Sequence, residues 1–362
     1  MKHIGALTVI RGIAAWWVVL YHFRENLMPE TLPWLNMVSA GGYLAVDLFF
    51  ILSGFVISLS CAQHFQHGVT VSGTRDFLVR RLARIYPLHL VMMLFYLAMP
   101  AAILTLSSAK SLNGNYEPGY FLLALGLIHN WGFTDSLQWN VPSWSISTEW
   151  FAYVCFPALI WLANGRLTTI GRNLAAILVI SAIIATLFTV AGTQSIGEKI
   201  PQIGMYRCAL EFALGICVYN ATRTVAGRSA ENLANIAGVI AVGLCAATFA
   251  GVLPDYALMP IALAALIFSL SIETSVGSRM LDALPLHTIG LISYSTYLCH
   301  YPIKELVKFL LVREGVSPVV PIVVYLGAVA LASVVLYRLV ELPGREFVQR
   351  HSSIYRRRPT ST

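Results

Sequence analysis

Long apolar stretches separated by short polar ones run through the whole chain. The first is IGALTVIRGIAAWWVVLYHF, residues 4–23, and the second covers about residues 41–60. Others fall at about 85–105, 144–163, 174–191, 203–220, 234–252, 256–272, 286–311 and 319–340. A helix rises about 1.5 Å per residue, so roughly 20 apolar residues carry it across a bilayer. A membrane barrel would instead show alternating segments of about 10 residues. The stretches here are longer and unbroken. The pattern predicts an all-α, polytopic transmembrane helical bundle of about ten spans. Residues 119–131 are too short a run to cross and are expected to form a re-entrant or interfacial helix on the outer side.

Composition sharpens this. Of 362 residues, 57% are hydrophobic and 11% charged, against roughly 25% charged in an ordinary soluble domain. A disordered chain, a coiled coil and a disulfide scaffold are excluded, and a soluble α/β enzyme fits poorly. The net charge of +7 comes from bases set between apolar runs, so it signals topology and a lipid bilayer, with no nucleic acid as partner. Arg75, Arg80, Arg81 and Arg84 place the loop before the third span in the cytoplasm. If residues 119–131 do not cross, Arg166, Arg172, Arg223, Arg228, Arg279 and Arg356 to Arg358 also fall inside. Both termini are then cytoplasmic. Residues 1–345 form the expected membrane domain and residues 346–362 a basic cytoplasmic tail. Arg11 interrupts the first stretch and no small-residue cleavage site follows it, so it is expected to be retained as a span. The six cysteines form no CxxC pair and are expected to be small buried hydrophobes; no metal site is expected.

Charge inside a span is costly and marks pairing or function. Arg11, His22, Asp47, Glu149, Arg207, Glu211, Lys304 and Glu341 are such residues, with His89 and His300 as weaker cases. Arg207 and Glu211, four apart, are expected to pair locally. Arg338 and Glu341 are expected to anchor the last span at the interface. Arg11 and His22 return to within roughly 20° of one helix face, roughly 16 Å apart along the axis. They are expected to look into one cavity, with His22 toward the outer end. Asp47 and Glu149 fall at similar depth to His22. An imidazole beside a carboxylate can take a proton from a hydroxyl; helix capping or interface placement would also explain the two acids. Arg80, Arg81 and Arg84 satisfy the positive-inside bias, and they would equally suit phosphate oxygens. A proton-coupled transporter would share the buried Arg, His and acids.

RGIAAWWVVLYHF, VDLFFILSGFVIS, FLVRRLARIYPLH, VPSWSISTEWFAY and ISYSTYLCHYP follow one another along residues 11–302. In that order they resemble the acyltransferase-3 family of integral membrane O-acyltransferases, in its stand-alone form without an extracytoplasmic hydrolase-like domain. The resemblance implies transfer of an acyl group, most often acetyl, from acyl-CoA on the cytoplasmic side to a hydroxyl. The expected acceptor is a cell-surface or secreted glycan or its lipid-linked precursor, in a bacterial cytoplasmic membrane. A small secondary metabolite is the alternative. No permanently bound cofactor is implied; acetyl-CoA is a substrate. The family's Arg and His fall on Arg11 and His22, its arginine motif on Arg80, Arg81 and Arg84, and its next motif on Trp144, Ser145 and Glu149. A later histidine matches His300. The catalytic set expected is His22 as general base with Glu149, Asp47 and Arg11, and the donor's phosphates are expected on Arg80, Arg81, Arg84 and Arg11.

Overall fold

The computed structural model describes residues 4–24, 33–106, 116–312, 315–317 and 319–351. Among them the chain is helical, with no strand. The first third holds α1 (Gly5–Phe23), α2 (Pro33–Ala40), α3 (Ala45–Cys61) and α4 (Val71–Leu106). The middle holds α5 (Pro118–Leu125), α6 (Trp144–Arg166), α7 (Ile170–Val190), α8 (Ile200–Arg223) and α9 (Gly227–Phe249). The last third holds α10 (Asp255–Ser271), α11 (Val276–Asp282), α12 (His287–Leu291), α13 (Ser293–Leu311), α14 (Val319–Leu336) and α15 (Leu342–His351).

Each apolar stretch of the sequence falls on these helices, the 286–311 stretch on α12 and α13 together. By length and composition, six helical segments can cross a bilayer, or seven if α10 and α11, bent by 74° at their junction, count as one span. These segments include α1, α3, α6, α7, α9 and α14. Of the remaining helices, α5 and α10 are too short, at 8 and 17 residues, and α8 carries Arg207 and Glu211 within its apolar run. The 119–131 piece is the eight-residue α5, with Pro118 as its first residue, where the missing proline N–H is harmless. It ends at Gly126 and turns back through Leu127, whose φ is +58°. The 345/346 boundary has no structural counterpart: α15 runs through it from Leu342 to His351. The basic cluster Arg356 to Arg358 lies outside the described residues.

Lipid is the solvent the outer helices are built for. Leu178 and Val179 of α7, Val239 and Val242 of α9 and Leu331 of α14 are all more than half exposed, an arrangement water would penalise. The inner helices meet closely. A Cβ on Gly54 of α3 would stand 2.0 Å from the Phe212 carbonyl oxygen, and one on Gly215 of α8 would stand 2.0 Å from that of Ile51. Only glycine lets these two backbones touch, as in other membrane helix pairs. α1 lies in the middle of the bundle, against α3, α12 and α13.

The α3–α8 contact buries an ionic group. Arg207 donates to Asp47 through Nε at 2.8 Å, with its NH2 nitrogen 2.7 Å from the same oxygen. Glu211 is farther from the guanidinium, at 4.0 Å. The local pair expected between Arg207 and Glu211 is therefore secondary to a link between helices. Residues four apart on one helix are held near 5–6 Å between their Cβ atoms, whereas Asp47 approaches Arg207 from the facing helix. The six cysteines are free thiols, four of them buried.

Candidate active site

A cavity of about 210 Å3 opens between α1, α3, α4, α6 and α13. Arg11, Arg81, Arg84, Ser53, Ser145 and Glu149 line it, together with Tyr153, Tyr294 and Tyr297 and an apolar wall that includes Phe49, Phe50 and Ile146. It gathers four of the charges scattered through the sequence, Arg11, Arg81, Arg84 and Glu149.

Each cation is held by a specific contact. Arg11 donates to the Gly290 carbonyl through Nε at 3.2 Å and through its terminal nitrogen at 2.7 Å. That approach depends on glycine, because a Cβ at Gly290 would stand 2.0 Å from the Thr8 carbonyl oxygen. Arg84 forms an ion pair with Glu341, and its guanidinium lies 5.5 Å from the Tyr294 ring centroid. Glu341 also accepts from the Ser295 hydroxyl at 2.8 Å. It belongs to a π-helical turn, Tyr337–Glu341, between α14 and α15, a distortion often found at functional sites. The expectation that Glu341 anchors the last span at the interface is thus corrected: it is 2% exposed and turned inward to Arg84. Arg81 lies over the Phe77 ring at 5.8 Å. Arg80, one position earlier on α4, does not line the cavity.

The carboxylates separate. Glu149 accepts a hydrogen bond from the Ser53 hydroxyl, which itself lies 3.5 Å from the Tyr153 hydroxyl. Asp47 is fully buried and bonded to Arg207. Trp144 covers that ion pair, its ring 5.6 Å from the Arg207 guanidinium. Ser145 and Tyr297 lie 2.8 Å apart through their hydroxyls, and both reach the Pro142 carbonyl, at 3.0 and 3.1 Å.

His22 stands outside this cavity. Its ring contacts are Tyr21 at 5.1 Å, Tyr301 at 5.4 Å and His300 at 5.1 Å between centroids. His300 in turn lies 5.8 Å from Tyr297, a cavity wall. Arg11 and His22 do share one continuous helix, as their spacing predicts, but the cavity that holds Arg11 stops one ring short of the histidine pair. His89 serves packing, its Nε2 donating to the Ala124 carbonyl at 2.8 Å. Among the described residues no group of three or more His, Cys, Asp or Glu could hold a metal ion.

Sequence reasoning did not single out Ser53, Tyr153, Tyr294, Tyr297 or the inward turn of Glu341. Tyr153 had a usable signal, since it follows Glu149 by four positions on one helix. Ser53 sits in the apolar run ILSGF, where a lone serine usually bonds its own backbone, so nothing marked it.

Fold and cavity together define a polytopic helical membrane protein with a guanidinium-rich cavity lined from five helices. Residues 4–338 match the family model described as an acyltransferase domain, and the chain belongs to the acyltransferase-3 family. It is similar to the peptidoglycan O-acetyltransferase OatA of Listeria monocytogenes, at 26% identity over 84% of this chain and 50% of the relative. It is also similar to the acyltransferase MdmB of Streptomyces mycarofaciens, at 28% identity over 61% of this chain and 58% of that one. A putative O-acetyltransferase of Staphylococcus aureus is 26% identical over 44% of this chain and 25% of its own length. The chain thus spans only about half the length of the first two. No solved structure matches it.

Proposed function

We propose that this chain is a membrane O-acyltransferase that moves an acetyl group from acetyl-CoA to a hydroxyl of a cell-surface or secreted glycan, or of its lipid-linked precursor. In this reading it lies in a bacterial cytoplasmic membrane with ten spans and both termini inside. The observation that carries it is the single cavity lined by Arg11, Arg81 and Arg84. Guanidinium groups suit phosphate oxygens by charge and by their forked geometry. A cavity of about 210 Å3 has room for the thin arm of the donor but not for its nucleotide, which would stay at the mouth. Glycan-modifying relatives such as the peptidoglycan O-acetyltransferase favour a sugar hydroxyl as acceptor.

The chemistry is direct transfer. His22 takes the acceptor's proton as its oxygen attacks the thioester carbon. The new C–O bond forms, the C–S bond breaks, and the coenzyme A thiolate leaves and is protonated. Negative charge on the carbonyl oxygen must be met by donors; the Ser145 and Tyr297 hydroxyls at the cavity wall donate to the Pro142 carbonyl and would have to turn from it to serve. Asp47, bonded to Arg207, takes no part in the proton path, and Glu149 serves the cavity through Ser53.

Labelled acetyl-CoA incubated with the purified protein and a panel of glycan acceptors tests this. The label is expected to move to an acceptor hydroxyl, and His22→Gln is expected to abolish the movement while the protein stays folded in detergent. Undiminished transfer by that variant would remove His22 from the chemistry.

A further inference from the structure

Away from the cavity, a second pocket of about 360 Å3 opens at the C-terminal ends of α6 and α8, beside the turn that follows α3. Gln66, Trp161, Asn164, Gly165, Arg166 and Arg223 line it, with no carboxylate among them. Arg84, Arg207 and Arg279 each meet an acid, whereas neither Arg166 nor Arg223 does so among the described residues. Arg166 reaches the Leu162 carbonyl at 3.4 Å, and the Arg223 guanidinium lies 5.6 Å from the Tyr219 ring centroid. These contacts leave most of their five donors open. Two arginines at helix ends satisfy the ordinary topology bias and alone point to nothing. Asn164 supplies an independent sign. Its Oδ1 and Nδ2 are both buried, and neither has a hydrogen-bond partner among the described residues. A buried carboxamide with both ends unmet is costly and calls for an explanation.

The neighbouring face of α6 identifies the kind of partner. Val154, Ala158, Trp161 and Leu162 are exposed and apolar. Their spacing puts them on one face of the helix, which runs on to Gly165 in the pocket. Side chains that suit hydrocarbon thus lead directly to two guanidiniums and an amide. A free anion gains nothing from that row, and it meets the carbonyl ends of two helices, which carry partial negative charge. A molecule with a phosphate at one end and hydrocarbon at the other uses both halves of the site. We propose that this pocket holds the phosphate headgroup of an anionic phospholipid. Arg166 and Arg223 take the phosphate oxygens, the Asn164 amide nitrogen donates to the same group, and its oxygen accepts from a headgroup hydroxyl. The acyl chains lie along the apolar row of α6. The site is separate from the transfer chemistry and stands whether or not that reading holds.

Native mass spectrometry of the full chain in detergent, with phosphatidylglycerol or phosphatidylcholine added, tests this. One phosphatidylglycerol per chain is expected to stay bound, with phosphatidylcholine held more weakly. Arg166→Gln combined with Arg223→Gln is expected to weaken the phosphatidylglycerol complex about tenfold or more. Arg228→Gln, which removes an exposed base outside the pocket, is expected to leave it unchanged. Asn164→Ala removes no charge, so diffuse attraction to a basic surface would not register it; a loss of about fivefold is expected. Asn164→Leu decides the matter if Asn164→Ala does not fold. Equal retention of the two lipids, or phosphatidylglycerol binding that neither the arginine nor the asparagine variants weaken, overturns the proposal. Release of the lipid by inorganic phosphate, beyond the release by sodium chloride at the same ionic strength, overturns it in favour of a soluble anion.

Discussion

Single ionisable residues in this chain are legible as exceptions and illegible as pairs. Every residue that lines the cavity with charge stands out in the sequence: Arg11 and Glu149 because charge is rare in apolar runs, Arg81 and Arg84 as part of a basic cluster just before one. Their partners do not. Asp47 reads as a companion for His22 at similar depth, and in the structure it bonds Arg207, 160 positions away. Depth along a helix follows from counting residues; rotation about the axis relative to a neighbouring helix does not. The Asp47–Arg207 pair also sets a stability prediction. Removing one member leaves the other charge buried and unmatched, which costs about 3–5 kcal/mol. Arg207→Met is expected to lower thermal stability in detergent sharply, and Asp47→Asn combined with Arg207→Met is expected to recover much of the loss.

Apolar length is a direct physical requirement of the bilayer, so the lipid-facing part of most helices was readable, but not their polar ends: α4 begins at Val71, well before the apolar stretch at about 85. Which helices touch was not readable. Gly54 and Gly215 look like two ordinary glycines in apolar runs, yet they are where α3 and α8 meet backbone to backbone. Gly54→Leu is expected to force these helices apart at a cost of about 1–3 kcal/mol, with loss of the Asp47–Arg207 bond as a second consequence. Thermal unfolding measures the first, and a double variant with Arg207→Met, less than additive, reveals the second. The π-helical turn at Tyr337–Glu341 is likewise invisible in sequence, because a one-residue distortion leaves hydropathy unchanged while turning Glu341 from the interface to Arg84.

For the whole molecule, one cavity gathers α1, α3, α4, α6 and α13, and its closing ion pair comes from the turn after α14. Arg84 and Glu341 are therefore opponents as far as an anionic donor is concerned, since the carboxylate occupies the guanidinium that a phosphate would seek. Glu341→Gln is expected to lower the KM for acetyl-CoA several-fold, and Arg84→Gln to raise it by tenfold or more. Steady-state kinetics at two salt concentrations checks both, with the weaker salt dependence expected in Arg84→Gln. Equal KM values in the two variants would separate this ion pair from donor binding.

The buried bond between Asp47 and Arg207 also dictates an order of assembly. Ribosomes add about 5–20 residues per second, so Asp47 reaches the membrane roughly 10–30 s before the arginine that will neutralise it exists. For that interval the helix that carries Asp47 has no partner for its carboxylate and has to wait at the insertion machinery. Its final seating is then a late event of biogenesis, triggered by the arrival of α8, five helices later.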